Sequence, residues 1–514
     1  MDAFCFKNVV RLCNFLCLIS AVINARPGLT HEMRTPVHHP VTTLNSEAQN
    51  AFDRGLLLYY AFNGTEAVGA FQNALRVDSH LAMAYWGQAL AHGSNFNSPV
   101  NEARYNLAQG AMAMALQLEH YAIPVEKLYI EALAKRYATP WSEHDQGEAA
   151  FLNAMELLTQ RYPADDDAIC IWAEALMEKV VWQSDPSHLS AWEAGPGLLG
   201  IPEIAIAAQK LNAVIARNPT HVMANHLIIH LYEFSNIRGP AFAASRRLLA
   251  MSLEPAAEHL IHMPAHTFMD TGNYALALKV SDRVVPMIEN YLHRPGIAPG
   301  HEYYLSHDLN VGFAAAMMLG NYQNANRYAE RLDRYYHSDD GYLAAARFYR
   351  WGAIRSLTTF PPSDSLRLVQ AYERVQNQDP IAARNFLNGI TQPQSSFYHL
   401  ILAKIAMKSN APADAMQEFK IAFDLENQKS FGEQIPLFPV GESYAAALFH
   451  IGDFTNAEII WRKTLQKYPN DPRALFGLSE TLARLGHIQA AQKIRAQFQF
   501  FWRDSDTTLD MHLL

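Results

Sequence analysis

The chain lacks most of the features that would mark a disulfide-stapled, membrane-spanning or nucleic-acid-binding protein. Only four cysteines occur in 514 residues. Cys5, Cys13 and Cys17 fall in an N-terminal segment that reads as cleaved, so Cys170 is left alone and the mature chain has no partner for a disulfide. No Lys/Arg-rich run is present and the formal charge is −9, so phosphate contacts are not provided for and no nucleic-acid partner is expected. Beyond the N-terminus no apolar run approaches the roughly 20 residues a bilayer requires. Alternating strand patterns are missing, as are GxSxG, GxxxxGK and strand-linked GxGxxG motifs. With 50% hydrophobic and 18% charged residues, the fold must stand on packing alone.

The first segment has the order of a secretory signal. Lys7 and Arg11 precede an apolar stretch from Leu12 to Ile23, and Ala25 stands before Arg26-Pro27. Residues 1–25 are therefore expected to be a signal peptide, with a retained anchor as the alternative. The chain is expected to be exported, periplasmic or secreted, with no membrane association beyond the cleaved signal. Residues 26–45, which include Pro36-Val37-His38-His39-Pro40, have no helical periodicity and are expected to form a flexible lead-in.

From Ser46 onward nearly every segment is amphipathic at helical spacing, broken at short intervals by Gly, Asn, Asp or Pro. An internal repeat organises these segments. Gly272-Asn273-Tyr274, Gly320-Asn321-Tyr322, Gly452-Asp453-Phe454 and Gly486-His487-Ile488 are each followed by an alanine five residues after the glycine: Ala277, Ala325, Ala457 and Ala491. Gly55, Ala67, Phe71, Ala74 and Ala89 hold comparable places near the N-terminus. Small residues let one helix approach the next, the glycine permits a tight turn, and the aromatic packs across the pair. This spacing resembles the tetratricopeptide repeat. The resemblance implies an all-α, tetratricopeptide-type helix-turn-helix solenoid, wound as a right-handed superhelix. It divides the chain into an N-terminal array over 46–335, irregular helical pairs over 336–435, a C-terminal repeat pair over 436–502 and a tail over 503–514. Two long loops, near 185–200 and 292–301, interrupt the pattern, and the second is expected to hold the excess in the 48-residue spacing between Ala277 and Ala325.

The histidines are unevenly placed. His226, His230 and Glu233 stand at i, i+4 and i+7, one stripe of a helix. His259, His262 and His266 follow, the last two again four apart. Phased from Pro219 and Pro255, His226 and His262 share the fifth position of a repeat's first helix, and His230 and His266 the ninth. In the preceding repeat those positions hold Cys170 and Glu174, and in the following one His307 matches His259. Pairs of histidines four apart on a helix offer two ligands from one face, and facing helices at roughly 8–10 Å allow imidazoles to meet at one ion. The residues expected to hold a metal are His226, His230, Glu233, His259, His262, His266, Glu174 and His307. Histidine and carboxylate suit zinc, iron or copper, a divalent or redox metal that residue type alone does not choose. A metal-free polar pocket is the alternative reading of the same stripe.

The pattern Asn-His-x-x-x-His-x-x-Glu followed by His-x-x-His-Met-Pro-x-His resembles a family of exported bacterial tetratricopeptide proteins with no established activity. Ala82-Met83-Ala84-Tyr85-Trp86-Gly87, Gly93-Ser94-Asn95-Phe96-Asn97, Tyr303-Tyr304 and His307-Asp308-Leu309 carry the same likeness. Weaker candidates have plainer readings: Trp86, Trp172 and Trp192 as core rather than an aromatic ligand wall, Asp165-Asp166-Asp167 as a helix start, and Cys170 as a buried thiol rather than a metal ligand. Two functions follow from the sequence. One is a metal-binding groove, with enzyme activity left open and Glu174 or Glu233 as ligand or general base. The other is a scaffold whose concave face takes a peptide or protein segment.

Overall fold

The computed structural model describes residues 35–182, 195–233, 235, 237–294, 302–355, 363–391, 393–428 and 438–514. The expected signal peptide, Trp192 and the greater part of both predicted loops lie outside the described residues. Within them the chain is all-α, a tetratricopeptide-type succession of helix-turn-helix pairs, with no strand beyond an isolated Asn95–Ser98 bridge. No described helix is long and apolar enough to cross a membrane.

The turns explain the repeat signature. Three-residue turns join several described pairs, among them these six: Ser46–Tyr60 with Gly64–Val77, Glu258–Asp270 with Tyr274–Leu292, Glu302–Met318 with Tyr322–Tyr336, Ser396–Lys408 with Pro412–Gln428, Val440–His450 with Phe454–Lys467, and Pro472–Arg484 with Ile488–Phe501. In each, the middle residue has positive φ: Phe62 (58°), Gly272 (68°), Gly320 (70°), Asn410 (59°), Gly452 (85°) and Gly486 (81°). Glycine adopts this region without penalty, which is why four of the six carry it. The last residue of the turn then caps the next helix, as Asn321 does by accepting from the Asn324 amide at 3.0 Å. The Ser396–Gln428 pair falls in the stretch expected to be irregular. Asn410, a residue that tolerates left-handed backbone, stands where the glycine signature would be, so the repeat was not visible there. Short helices at Asp340–Arg347, Trp351–Arg355 and Pro380–Leu387 make up much of the remaining irregular stretch.

Between helices, small residues set the approach. Ala67, Ala277, Ala325 and Ala457 are wholly buried. The Phe71 ring fills the space in front of Gly55 and Gly87, where a Cβ at either position would meet it at 2.6 Å. The 48-residue spacing is partly taken up by the 19-residue Tyr274–Leu292 helix rather than wholly by the loop that follows.

The chain forms two compact units, one comprising 1–267 and 286–301, the other 268–285 and 302–514. The first is built around fully buried aromatics, among them Phe52, Tyr60, Phe71, Phe96 and Tyr129. In the second, Trp461 packs with Ala457, Ala474 and Leu478, while Val369, Tyr372, Ile401 and Ile405 belong to a separate cluster.

The described part of the lead-in is docked rather than flexible. The Thr42 amide and hydroxyl donate to Glu126 at 2.6 and 2.7 Å, the His39 amide donates to Asp53 at 3.0 Å, and Val37 and Val41 are buried. Glu126 stands 84 residues from Thr42, so local periodicity carried no sign of it.

Candidate metal centre

The two histidine helices begin where the proline phasing puts them, at Val222 and Glu258. His226 and His262 are therefore fifth residues and His230 and His266 ninth residues of their helices. His226, His230, His259, His262, His266 and Glu233 are all buried, none more than 4% exposed. Fully buried imidazoles at successive inner positions are costly unless each polar nitrogen has a use.

The nitrogens are sorted by their partners. His226 Nδ1 lies 2.7 Å from the carbonyl oxygen of Tyr60. A carbonyl only accepts, so Nδ1 carries the proton and Nε2 keeps its lone pair. His230 Nδ1 lies 3.2 Å from one Glu233 oxygen, and His266 Nδ1 lies 3.2 Å from the other. A carboxylate also only accepts, so the His230 ring, hydrogen-bonded to Glu233 through Nδ1, directs its Nε2 lone pair away from it. His230 Nε2 and His226 Nε2 then meet at 3.0 Å, and His262 Nε2 and His266 Nε2 meet at 2.7 Å. Burial pushes His226 down to about 3 despite the opposing carbonyl hydrogen bond, so this ring stays neutral at ordinary pH.

Two lone pairs at 3.0 Å repel unless a cation stands between them. Nitrogens bound to one ion at about 2.0–2.1 Å are about 2.8–3.4 Å apart for bond angles from roughly 90° to tetrahedral. The His226–His230 separation falls on that edge length. His259 completes a set of three whose ligand atoms lie within 4.8 Å of one another. Around the set, Phe62 packs on His226, His230 and His259 with centroids 4.4, 5.7 and 5.4 Å away, and Phe96 lies 4.8 Å from His230. An apolar shell with Nδ1 groups tied to a carbonyl and a carboxylate is the outer arrangement that orients ligating histidines.

Other predicted residues take different places. Both Glu233 oxygens face histidine Nδ1 atoms, so it orients ligands rather than serving as one. Glu174 accepts from Tyr59 Oη at 2.6 Å; burial and the neighbouring Glu178, which pairs with Arg136 at 2.7 Å, push its carboxyl well above the ordinary range. His307 belongs to the second unit and is the sixth residue of the Glu302–Met318 helix, whereas His259 is the second of its own, so the expected match in register does not hold. Trp86 and Trp172 are core residues. Cys170 is a free buried thiol pushed up by burial, with Sγ 3.8 Å from His221 Nδ1.

A second cluster was not anticipated. His39 Nδ1 lies 2.7 Å and His221 Nε2 3.1 Å from Asp167, and Tyr60 Oη donates to the same carboxylate. Burial disfavours the charge of Asp167, yet hydrogen bonds from His221 and His39 hold it well below the ordinary carboxylate range. These groups border a cavity of about 820 Å³ beside the lead-in segment. Asp165 does cap the helix as the acidic run suggested, accepting from the Ala168 amide at 3.0 Å. Nothing in local spacing links His39 to Asp167, 128 residues away. Phe62, Phe96 and the Tyr60 carbonyl were missed as well. A backbone acceptor leaves no mark on a side-chain pattern, although Phe96 sits in one of the motifs noted in the sequence.

No protein-family model matches the chain, and no curated protein matches it. Among solved structures it is similar to the Cut9–Hcn1 hetero-tetramer of the APC/C, with 12% identity over 89% of this chain and 94% of that one and a TM-score of 0.31. It is likewise similar to the human IFIT1 dimer with m7Gppp-AAAA, with 12% identity, 89% and 90% coverage and a TM-score of 0.29. For yeast Tom70 the values are 12%, 91% and 93%, and 0.26. The fold assignment rests on the helix pairs and not on these likenesses.

Proposed function

We propose that the protein is a helical-repeat metal-binding protein that holds a transition-metal ion through Nε2 of His226, His230 and His259. The His262–His266 pair is a second donor set beside it, and Glu233 orients one histidine of each set. The observation that carries this reading is the pair of neutral Nε2 lone pairs facing each other at 3.0 Å with both Nδ1 sides already committed. Three imidazoles suit zinc, copper or iron, and such an ion would supply Lewis acidity at whatever position the protein leaves open. The N-terminal signal pattern supports export, and the Asn-His-x-x-x-His-x-x-Glu motif supports kinship with exported bacterial tetratricopeptide proteins.

Elemental analysis of the purified mature chain tests the reading. The expected result is stoichiometric metal, lost in a His226→Ala/His259→Ala double variant that keeps its helical circular dichroism. Metal-free protein that takes up no zinc, copper or iron on incubation would overturn it. The remaining roles would then be a proton shared between His230 and His226 and a scaffold for a peptide segment.

A further inference from the structure

The Gly93–Ser98 segment, noted in the sequence and given no role there, reaches the histidines with two side chains. Its turn is built rigidly. The Asn95 amide donates to Ser98 O at 3.0 Å and the Ser98 amide returns a bond to Asn95 O at 3.2 Å. Trp182 Nε1 donates to the same Asn95 carbonyl at 2.8 Å, and Asn95 Oδ1 accepts from the Asn97 amide at 2.9 Å. Phe96 is wholly buried against His230, which fixes where the next residue points. The Asn97 carboxamide nitrogen lies 3.3 Å from His259 Nε2.

That distance matches the separation of two donors on one ion, as the His226–His230 pair does. A carboxamide has one end that donates and one that accepts, and half a turn about its last side-chain bond exchanges them. With no cation, the N–H end faces the His259 lone pair. With a cation on the three histidines, the oxygen end is the one that electrostatics turns inward. On the proposed-function reading of this site, we infer that Asn97 closes the fourth corner of the histidine set through its side-chain oxygen. A neutral amide is a weak ligand beside imidazole, so the corner is guarded rather than sealed. The class of molecule that displaces it is a small anion or water-derived donor. Phe62 and Phe96, packed on the histidines, make the surroundings apolar and favour a small ligand over a bulky one.

The test loads the full chain with cobalt(II) and follows its visible spectrum during azide titration, in wild type, Asn97→Ala and Asn97→Asp. Each variant is first checked for an unchanged thermal melt. The alanine variant, with an open corner, is expected to bind azide about tenfold more tightly than wild type. The aspartate variant is expected to bind cobalt more tightly than wild type and to resist azide. Equal spectra and azide affinities in wild type and Asn97→Ala would overturn the role of Asn97 while leaving the histidine site standing. Loss of cobalt in Asn97→Asp but not in Asn97→Ala would also overturn it, since a carboxylate oxygen at a ligating corner should hold the cation more tightly, not less. A wild-type chain that takes up no cobalt would instead sink the metal reading itself.

Discussion

Replacing Glu233 by glutamine separates an orienting carboxylate from a ligating one. In the native chain its two oxygens each face an Nδ1 atom at 3.2 Å. Glutamine keeps the shape but presents one acceptor and one NH2 group, so one of His230 and His266 meets a donor instead of an acceptor. That ring relieves the clash by moving its proton to Nε2, which removes its lone pair from the centre. Loss of such an outer partner weakens metal binding by about 10- to 100-fold, or about 1.4–2.7 kcal/mol. The assay is competition for zinc against a chromophoric chelator, with the apo melt recorded alongside. Apo stability is expected to change much less, because glutamine keeps the shape of the side chain and the histidines stay buried. Zinc affinity within twofold of wild type, in a folded Glu233→Gln protein, would refute the sorting of nitrogens from which the centre is built.

Three further outcomes are expected. His226 titrates far below its ordinary range when folded, so its contribution is intact above pH ~6.5 and is lost as pH falls toward about 3, at about 1.4 kcal/mol per pH unit in the apo protein; urea melts that stay flat between these limits would contradict it. His39 behaves oppositely: burial disfavours its charge, but the hydrogen bond to Asp167 and the charges of Asp167, Asp165 and Asp53 outweigh this and raise it. Its hold on the lead-in is therefore complete below pH ~6.5 and lost as pH rises through the raised value, and proteolysis within residues 35–45 should accelerate there in wild type but show no such step in His39→Gln. Gly87→Ala should cost about 1–3 kcal/mol in a denaturant melt, because its Cβ would meet the Phe71 ring at 2.6 Å; an unchanged midpoint would mean the ring has room to move.

The sequence by itself determined the repeat and most of the histidine set. Glycine at the middle of the Thr271–Asn273 and Leu319–Asn321 turns is demanded by positive φ, a local requirement that leaves a local mark, and histidines four apart on one helix can only share a face. Where a different residue meets the same backbone demand, as Asn410 and Phe62 do, the mark is lost. Tertiary structure alone decided how the imidazoles are used. The proton positions of His226 and His230 depend on the Tyr60 carbonyl, which has no side-chain signature, and on the rotamer of Glu233, which spacing presented as one more ligand. It also decided that Glu174 joins Tyr59 and Glu178, and that His39 reaches Asp167 across more than a hundred residues. Periodicity reports which face a residue occupies, while hydrogen-bond direction depends on what the rest of the chain sets opposite it.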